Sequence, residues 1–355
     1  VLMDNNNLVK LYFETFRAKD IDALKVILAD GFGIRSFLGK LVFDYKNLEI
    51  LMHDYDIIDF KIIDLEVSND IVYVEVNFNY SLNNELTNQL IIVKFVISNN
   101  KLVRVYETTK RDGITRIKCI VTYDGSTFSG FQRQPDSLTV QGEIEKALWY
   151  LTKEEITIHS SGRTDKGVHA INQVFHFDTK SKINPNDFAR VLRSYLPDSI
   201  YLKSSEEVHP TFHSRYDSYS KEYVYKLNLG EYDPIQRNYE WNVPNLDVNV
   251  LKNELSNIVG THNFTSFTKT IEDKTMIRTI FSVNLVEKGD YLYISIKGNG
   301  FLRYMVRYLV GTVVEISKGD CKESLLDFIN YKNSSEVKWK APSSGLYLKE
   351  VVYID

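Results

Sequence analysis

Hydrophobic and polar positions follow two different patterns along the chain, one before and one after about residue 110. The first part begins with apolar residues at the three- and four-residue spacing that predicts amphipathic helices. These residues are Leu8, Leu11, Tyr12 and Phe16 in one helix, and Leu24, Ile27 and Leu28 in the next. Asp20 and Asp22 precede the second stripe and can cap that helix. A third, short helix is predicted around residues 47–54.

Four strand-like segments complete this first part. They are "DFKIIDLEV", "IVYVEVNFNY", "NQLIIVKFVI" and "KLVRVYET". The short polar segments between them are typical of loops that join antiparallel strands. Helices followed by such a meander predict an α+β domain over residues 1–110, with the sheet curved over the helices. The polar stretch from Thr108 to Gly113 is the predicted domain boundary.

From Ile114 onward, strands and helices are predicted to alternate, which indicates a second domain over residues 114–355. A helix is predicted after Thr139, which can cap it, and another between Asn184 and Pro197. A hairpin is predicted to turn near Gly289. The strongly apolar segment "FLRYMVRYLVGTVVEI" that follows predicts a buried helix.

Composition supports a globular chain with two domains. The chain has 355 residues, of which 43% are hydrophobic and 25% charged, and this excludes a largely disordered protein. We find no run of about 18 apolar residues that would span a membrane, and the polar start of the chain is unlike a secretory signal. Cys119 and Cys321 cannot frame a disulfide scaffold. We therefore expect a cytoplasmic enzyme.

The net charge of −4 is unevenly distributed. Residues up to Asp112 include 13 Lys and Arg against 17 Asp and Glu, whereas the remainder has 30 of each. A neutral domain can still bind RNA if its cationic side chains line one cleft. Charge therefore neither supports nor excludes an RNA partner for the second domain.

The most informative segment is "SSGRTDKGVHA", from Ser160 to Ala170. It places Asp165 between two glycines, which permit a tight backbone and the close approach of a ligand. Arg163, two residues earlier, can hold that carboxylate in its ionised form. The simpler interpretation is a solvated turn with a weak surface ion pair.

Arg307 lies in the apolar segment "FLRYMVRYLVG". A buried guanidinium needs an anionic partner, since an unpaired buried charge costs several kcal/mol. The alternative is a side chain that extends to the surface. If Arg307 faces Asp165, the two form a carboxylate and guanidinium pair inside a cleft, an arrangement typical of catalytic sites.

Six segments of the second part resemble, in order, the sequence blocks of the tRNA pseudouridine synthase A (TruA) family. They are "YDGSTFSGFQRQPDSLTVQGEIEKAL", "SGRTDKGVHAINQVFHFDT", "FHSRYDSYSKEYVYKL", "GTHNFTSF", "GNGFLRYMVRYLVGT" and "APSSGLYLKEVVY". The resemblance runs from about Thr115 to Tyr353. Two positions depart from the family pattern: Phe131 stands where Trp is usual, and Ser214 where Ala is usual.

The resemblance implies an isomerase that converts uridine to pseudouridine at positions 38–40 of the tRNA anticodon stem-loop. It implies no cofactor and a homodimer that cradles the tRNA. The implied fold has two α/β halves, about 114–215 and 216–355, with a joined antiparallel sheet and a basic central cleft. By the same resemblance, Asp165 is the catalytic aspartate, with Arg163 beside it in the motif. Arg307 is its salt-bridge partner, and Tyr223 packs on the target base.

The chemistry of these side chains agrees with the implied roles. A flipped-out nucleotide must be held away from water, and an ionised aspartate can attack the ribose or base, or remove a ribose proton. Tyr223 offers a ring for stacking and a hydroxyl for proton transfer. Tyr225 lies on the same strand face and is the alternative, while plain sheet packing is the simplest interpretation of both tyrosines.

Four further side chains are predicted to contact RNA. They are Arg133, Lys166, His169 and Arg303. Each could equally be a solvated charge. His209 and His213 have a spacing that binds metal on a helix, but Pro210 interrupts the segment, so no metal is expected.

The first domain resembles the nuclear-transport-factor-2-like superfamily, SnoaL-like members included, over about Asn7 to Thr108. The resemblance rests on the order of elements and implies a cone with a pocket, used for catalysis, dimerisation or ligand binding. The candidate pocket residues are Tyr12, His53, Asp54 and Asp56. Its net charge of about −4 makes it a poor partner for phosphate, so we expect dimer contacts or a small ligand.

Two other functions are compatible with this sequence. One is an RNA-binding protein that has lost catalysis, and the other is a small-molecule-binding regulator dominated by the first domain. The intact "GRTD" segment and Arg307 favour the enzyme, because a binding protein has no use for an aspartate clamped by arginines where phosphates must pass.

Overall fold

The computed structural model describes residues 4–35, 41–44, 47, 56–82, 85–109, 112–269 and 275–353. The chain folds into two compact units. The first comprises Val1–Thr115 and Val208–Phe212, and the second Arg116–Glu207 and His213–Asp355. Of the helix predicted around residues 47–54, residues 48–54, with His53 and Asp54, lie outside the described residues. Across the described ranges, no helix is long and apolar enough to cross a membrane.

In the part of the first unit that the structure describes, two helices combine with a six-stranded sheet. Its elements are α1 (Asn5–Ala18), α2 (Ile21–Ile27), β1 (Leu28–Arg35), β2 (Leu41–Asp44), β3 (Asp56–Ser68), β4 (Ile71–Leu82), β5 (Glu85–Ser98) and β6 (Lys101–Thr109). The strand order is β2-β1-β6-β5-β4-β3. Both helices and the meander β3 to β6 confirm the predicted pattern, whereas β1 and β2 were not predicted.

One pairing in this sheet differs from an antiparallel meander. β1 pairs with β6 in parallel, with Ile34 opposite Val105. The chain returns to β1 only after the whole meander, and no hairpin sets the relative direction of the two strands.

The helices of the first unit begin where side chains can cap them. The Asp4 carboxylate accepts from the backbone N–H of Asn7, and the Asp20 carboxylate accepts from that of Ala23. Asp22 lies inside the first turn of α2 and is not its cap.

Tyr12, a candidate pocket residue, is 3% exposed in the core beneath α1. Burial raises the pKa of nearby Glu107 to about 7.

The second unit is built on a longer sheet. The elements that follow along the chain are β7 (Thr115–Tyr123), α3 (Val140–Thr152), β8 (His159–Ser160), β9 (His169–Thr179), α4 (Phe188–Leu192), β10 (Ile200–Val208), β11 (Ser218–Asn228), β12 (Trp241–Asn242), α5 (Val248–Ser256), β13 (Gly260–Asn263), β14 (Ile277–Lys288), β15 (Tyr291–Gly298), α6 (Met305–Ser317), α7 (Leu325–Tyr331) and β16 (Leu346–Tyr353). The order is β10-β7-β9-β16-β11-β15-β14-β13. The predicted α+β fold class is confirmed.

The two halves of this sheet meet where β16 lies between β9 and β11. β16 runs antiparallel to β11 but parallel to β9, with Tyr347 opposite His169. The predicted joined sheet is therefore correct, but its junction is a parallel pair. This last strand places the ends of β9 and β11 beside each other, and these strands flank the candidate site.

Candidate active site

Asp165 lies on the loop between β8 and β9, and the start of this loop is fixed by one buried glutamine. Gln173, 0% exposed, donates from Nε2 to the Gly162 carbonyl oxygen at 2.8 Å. The Ser161 hydroxyl donates to Gln173 Oε1 at 2.5 Å. The backbone N–H of Ser161 also donates to the Val174 carbonyl. The loop therefore leaves the sheet in a defined direction before it reaches Asp165.

The residue before Asp165 is held by the neighbouring segment. The backbone N–H of Phe131 donates to the Thr164 carbonyl at 3.1 Å. The hydroxyls of Tyr123 and Thr164 are 2.7 Å apart and share a hydrogen bond. Gly130 has φ of 104°, and a Cβ there would lie 3.0 Å from the Thr164 oxygen. Only glycine fits at this position without displacing the catalytic loop.

Arg307 faces Asp165 from the first turn of α6. Its Nη1 lies 3.5 Å from Asp165 Oδ2, and the two side chains are 12% and 24% exposed. Its Nε donates to the Ala341 carbonyl at 2.8 Å, while the Ala341 backbone N–H donates to the Arg307 carbonyl at 3.0 Å. The guanidinium is thus fixed in the cavity and does not extend to the surface.

Burial and nearby cations act in opposite directions on Asp165. Burial raises the pKa of its carboxyl, and the charges of Arg307, Arg303 and Lys340 lower it. Burial is the larger effect, so the net pKa is raised. The site therefore makes Asp165 a stronger base than a solvated aspartate, with a counterion already in place.

The pair opens into a cavity of about 460 Å³. The lining residues are Ser126, Asp165, Lys166, Gly167, Asn238, Tyr304, Arg307, Lys340, Ser343 and Ser344. All of them belong to the second unit. The volume lies within the range of small-ligand pockets, and the lining offers hydroxyl, amide and cationic groups around one carboxylate.

The two candidate tyrosines of β11 occupy different environments. Tyr223 packs edge-on against Phe301, and its pKa is raised by burial and by the charges of Tyr123 and Asp165. Its hydroxyl makes no hydrogen bond to any described residue. Tyr225 is 1% exposed, and its hydroxyl donates to the Pro342 carbonyl. Tyr225 therefore supports the cavity wall from the core, while Tyr223 lies beside Asp165.

Tyr304 is a cavity residue that sequence reasoning did not identify. It precedes α6 in the left-handed conformation, with φ of 65°, which is unfavourable for a bulky residue. The Arg303, Arg307 and Lys340 cations lie 4.8, 5.8 and 4.6 Å from its ring centroid. This helix, α6, begins at Met305, so Arg303, which was predicted to lie in the helix, precedes it. The signal was its place in "FLRYMVRYLVG", three residues before Arg307.

The other predicted residues are distributed unevenly around the cavity. Arg163 is exposed and, among the described residues, forms no ion pair with Asp165. Arg307 is the arginine that pairs with this aspartate. Lys166 is exposed at the cavity lining. Arg133 is exposed but ion-pairs with Glu145 at 2.8 Å.

His169 is the predicted RNA contact that the structure places in the interior. Its side chain is 3% exposed and lies 3.2 Å from Asp124. Nδ1 accepts from the Gly125 backbone N–H, and Nε2 lies 2.8 Å from the Asn238 carbonyl oxygen. With both ring nitrogens engaged, His169 positions the loop that carries Asn238 instead of contacting a ligand.

No group of histidine, cysteine and carboxylate side chains in the described ranges is arranged to hold a metal ion. His213 lies against His176 and His159, with ring centroids 4.7 and 5.8 Å apart. Burial, followed by the charges of His159 and Arg116, lowers the pKa of His213 to about 3. These rings are neutral packing partners.

Solved structures similar to this chain have NTF2-like and SnoaL-like descriptions. An NTF2-like protein from Cytophaga hutchinsonii matches 31% of this chain and 93% of its own, with 10% identity and a TM-score of 0.27. A SnoaL-like polyketide cyclase from Jannaschia matches 30% of this chain and 85% of its own, with 13% identity and the same TM-score. At this score the likeness supports no inference about what the first unit binds.

The sequence comparisons concern the second unit. The family described as tRNA pseudouridine synthase matches residues 119–217 and 255–354, which include Asp165 and Arg307. Tyr223 lies between the matched segments. The tRNA pseudouridine synthase A of Brevibacillus brevis is 45% identical over 244 residues, covering 67% of this chain and 99% of the relative. That of Anoxybacillus flavithermus is 41% identical over 244 residues, covering 67% and 98%. This chain belongs to the tRNA pseudouridine synthase family.

Proposed function

We propose that this chain is an isomerase that converts uridine to pseudouridine in the anticodon stem-loop of tRNA, at positions 38–40. The observation that carries the proposal is the ion pair of Asp165 and Arg307 in a cavity of about 460 Å³. Family membership supports the reaction class, and the relatives named above are tRNA pseudouridine synthases by description. The cavity can admit one extruded nucleotide.

The reaction breaks the bond between ribose carbon 1′ and uracil N1, rotates the base, and forms a bond from carbon 1′ to carbon 5. The proton on carbon 5 is lost and N1 is left protonated, so the reaction needs no net oxidant or reductant. Asp165 either attacks the ribose or base, or removes a ribose proton. Tyr223 packs against the base, and its unbonded hydroxyl is placed to move the carbon 5 proton.

Asp165 must be ionised for either step, and Arg307 maintains the charge. Because burial alone would favour the protonated acid, the guanidinium stabilises the reactive form throughout the turnover. Lys166 and Arg303 lie at the cavity lining and beside it, where phosphate oxygens would pass. Arg163 and Arg133 are also exposed, and we assign them the same role of contacting phosphate outside the cavity.

An RNA-binding protein without catalysis is not favoured. The carboxylate and its arginine line one cavity, and a carboxylate at the centre of an RNA-binding surface repels phosphate. A small-molecule-binding regulator is not favoured either, because the family match covers the second unit.

We assign residues 114–355 to catalysis and residues 1–110 to an accessory domain in a cytoplasmic homodimer. The apolar core of the second unit contains only residues from Ile117 to Val351, and that of the first only residues from Leu8 to Val105. The accessory domain has a net negative charge, which suits dimer contacts or a small ligand better than RNA.

Replacement of Asp165 by Asn tests the proposed reaction. The change removes one charge and little volume, so we expect tRNA binding to persist while pseudouridine formation falls below detection. Pseudouridine mapping on tRNA, with tritium release from carbon 5 of uridine as the rate assay, measures this. Asp187→Asn, which alters an exposed carboxylate paired with Arg190, is the matched control. Equal modification by Asp165→Asn and wild type would refute the assignment.

Tyr223 and Tyr225 form a second matched pair. Tyr223→Phe removes only the hydroxyl beside Asp165, and we expect the rate of tritium release to fall roughly 10²-fold or more. Tyr223→Leu removes the ring as well and should weaken substrate binding. Tyr225→Phe breaks the hydrogen bond to Pro342 and should lower stability more than rate. A normal rate for both Tyr223 variants would shift the role to Tyr225.

A truncated chain that begins at Ile114 tests the role of the first domain. Every residue that lines the cavity lies beyond this point, so we expect the truncation to fold and to modify an isolated anticodon stem-loop. Loss of dimer contacts would lower the rate several-fold at most. A soluble, folded truncation without any activity would show that the first domain helps to build the catalytic or RNA surface.

A further inference from the structure

Three cations lie around the start of β11 and the paired end of β15, close to Tyr223. They are Lys221 on β11, Arg278 on β14 and Arg215, which precedes β11 and whose carbonyl accepts from the Ser218 hydroxyl at 2.9 Å. Within the described residues none of them forms an ion pair with a carboxylate. The cavity described above does not include them. Because cations held close together repel one another, such a group is stable only if backbone oxygens or a bound anion compensate for the charge.

The strand register brings Lys221 and Arg278 together. Lys221 of β11 lies opposite Gly298 of β15, which lies opposite Ile280 of β14. Arg278, two residues before Ile280, extends its side chain toward the end of β15, where its Nε lies 3.7 Å from the Cβ position of Gly300. The two cations therefore lie on one face of the sheet, on the two strands that flank the end of β15.

Electrostatics agrees with this placement. Burial, followed by the charges of Arg215 and Arg278, lowers the pKa of Lys221 to about 7. The pKa of Arg278 is also lowered, by burial and then by Arg215. Each shift has the sign expected for a buried cation beside other cations.

The backbone occupies only part of the donor capacity of this group. Lys221 Nζ donates to the Ser161 carbonyl, its one hydrogen-bond partner among the described residues, which leaves two N–H groups. Arg278 Nη1 donates to the Thr275 and Ile277 carbonyls at 2.8 and 2.6 Å. Its Nε and Nη2 have no partner within the described residues. A tetrahedral oxyanion can accept from such donors.

The position of the group identifies the anion. Side chains two residues apart in a strand share a face, and Lys221 lies about 7 Å along β11 from Tyr223, at the strand rise of about 3.4 Å per residue. Lys221 also reaches Ser161, four residues before Asp165. A strand whose nucleotide enters the cavity beside Tyr223 would therefore carry a phosphate over Lys221.

Two exposed aromatic rings beside the group favour a nucleic acid over an acidic peptide. Tyr219 and Phe281 are 50% and 37% exposed, and their rings stack at 5.5 Å with an interplanar angle of 12°. Tyr219 is two residues before Lys221 on β11. Exposed aromatic rings next to cations are typical of surfaces that bind unpaired bases and the adjoining backbone.

We propose that Arg215, Lys221 and Arg278 form a phosphodiester-binding site for the RNA strand adjoining the extruded uridine. The inference rests on the proposed function for the identity of the RNA. It assigns a substrate-binding role to Lys221, whose alternative role is only to tether the catalytic loop through Ser161.

The salt dependence of binding separates the two roles. Binding of an anticodon stem-loop is measured in the full chain with Asp165→Asn, so that turnover does not interfere. We expect Lys221→Met to bind about 3- to 10-fold more weakly at 50 mM salt, and to lower the slope of log affinity against log salt by about 1. Between 50 and 200 mM salt, the parent should lose about 3.5-fold more affinity than the variant.

Two further variants control this measurement. Lys221→Arg keeps the charge and should keep the slope, whereas Lys252→Met removes an exposed charge on α5 and should leave affinity and slope unchanged. Tryptophan fluorescence confirms folding of the second unit, because Trp149, Trp241 and Trp339 all belong to it. A folded Lys221→Met protein with an unchanged slope would overturn the proposal. The remaining role of Lys221 would then be to tether the catalytic loop through Ser161.

The outcome is distinguishable from failure of the proposed function. If wild type forms no pseudouridine, the function fails, whatever Lys221 does to the salt slope. If wild type is active and depends on Asp165, but the slope does not depend on Lys221, only the phosphate site fails.

Discussion

The second unit depends on a carboxylate and a guanidinium that share a cavity from which much of the water is excluded. Burial raises the pKa of Asp165 and so favours its protonated form, and Arg307 would be an uncompensated charge without this carboxylate. Each charge therefore stabilises the other, and the surrounding structure must hold the two side chains close together. Arg307 is fixed by its hydrogen bond to Ala341, and Asp165 by a loop bonded to Gln173 and Phe131.

The fold supplies this pair by bringing distant segments together. β9 follows the aspartate loop, β11 carries Tyr223, and β16, the last described strand, joins them. The segment before β16 contributes Lys340, Ser343 and Ser344 to the cavity. The unfavourable backbone at Tyr304 begins α6 directly before the turn that presents Arg307. Strain of this kind is common where a ligand is bound, because the surrounding structure must hold it.

Sequence reasoning succeeded where a local pattern and a physical need coincide. The glycines around Asp165 and the arginine in an apolar helix predicted the pair, and caps such as Thr139 marked helices that the structure contains. It could not assign Tyr223 over Tyr225, because both share one face of β11 and differ only in their tertiary neighbours. His169 has a motif position like that of Lys166, yet it is buried, and only the packing around Asp124 decides this. Lys221 and Arg278 share one face of the sheet through the register of three strands, which no local pattern contains.

The pH dependence of Arg307 variants tests the central claim most directly. Arg307 lowers the pKa of Asp165, so its loss should raise that pKa further and protonate the carboxylate at higher pH. The account predicts that Arg307→Met slows single-turnover tritium release about 100-fold or more at neutral pH and moves the acid limb of the rate profile to higher pH. Arg307→Lys should move the limb less. Arg190→Met, which alters an exposed arginine that does not line the cavity, should not move it. A folded Arg307→Met protein with a normal rate and an unmoved acid limb would contradict the account.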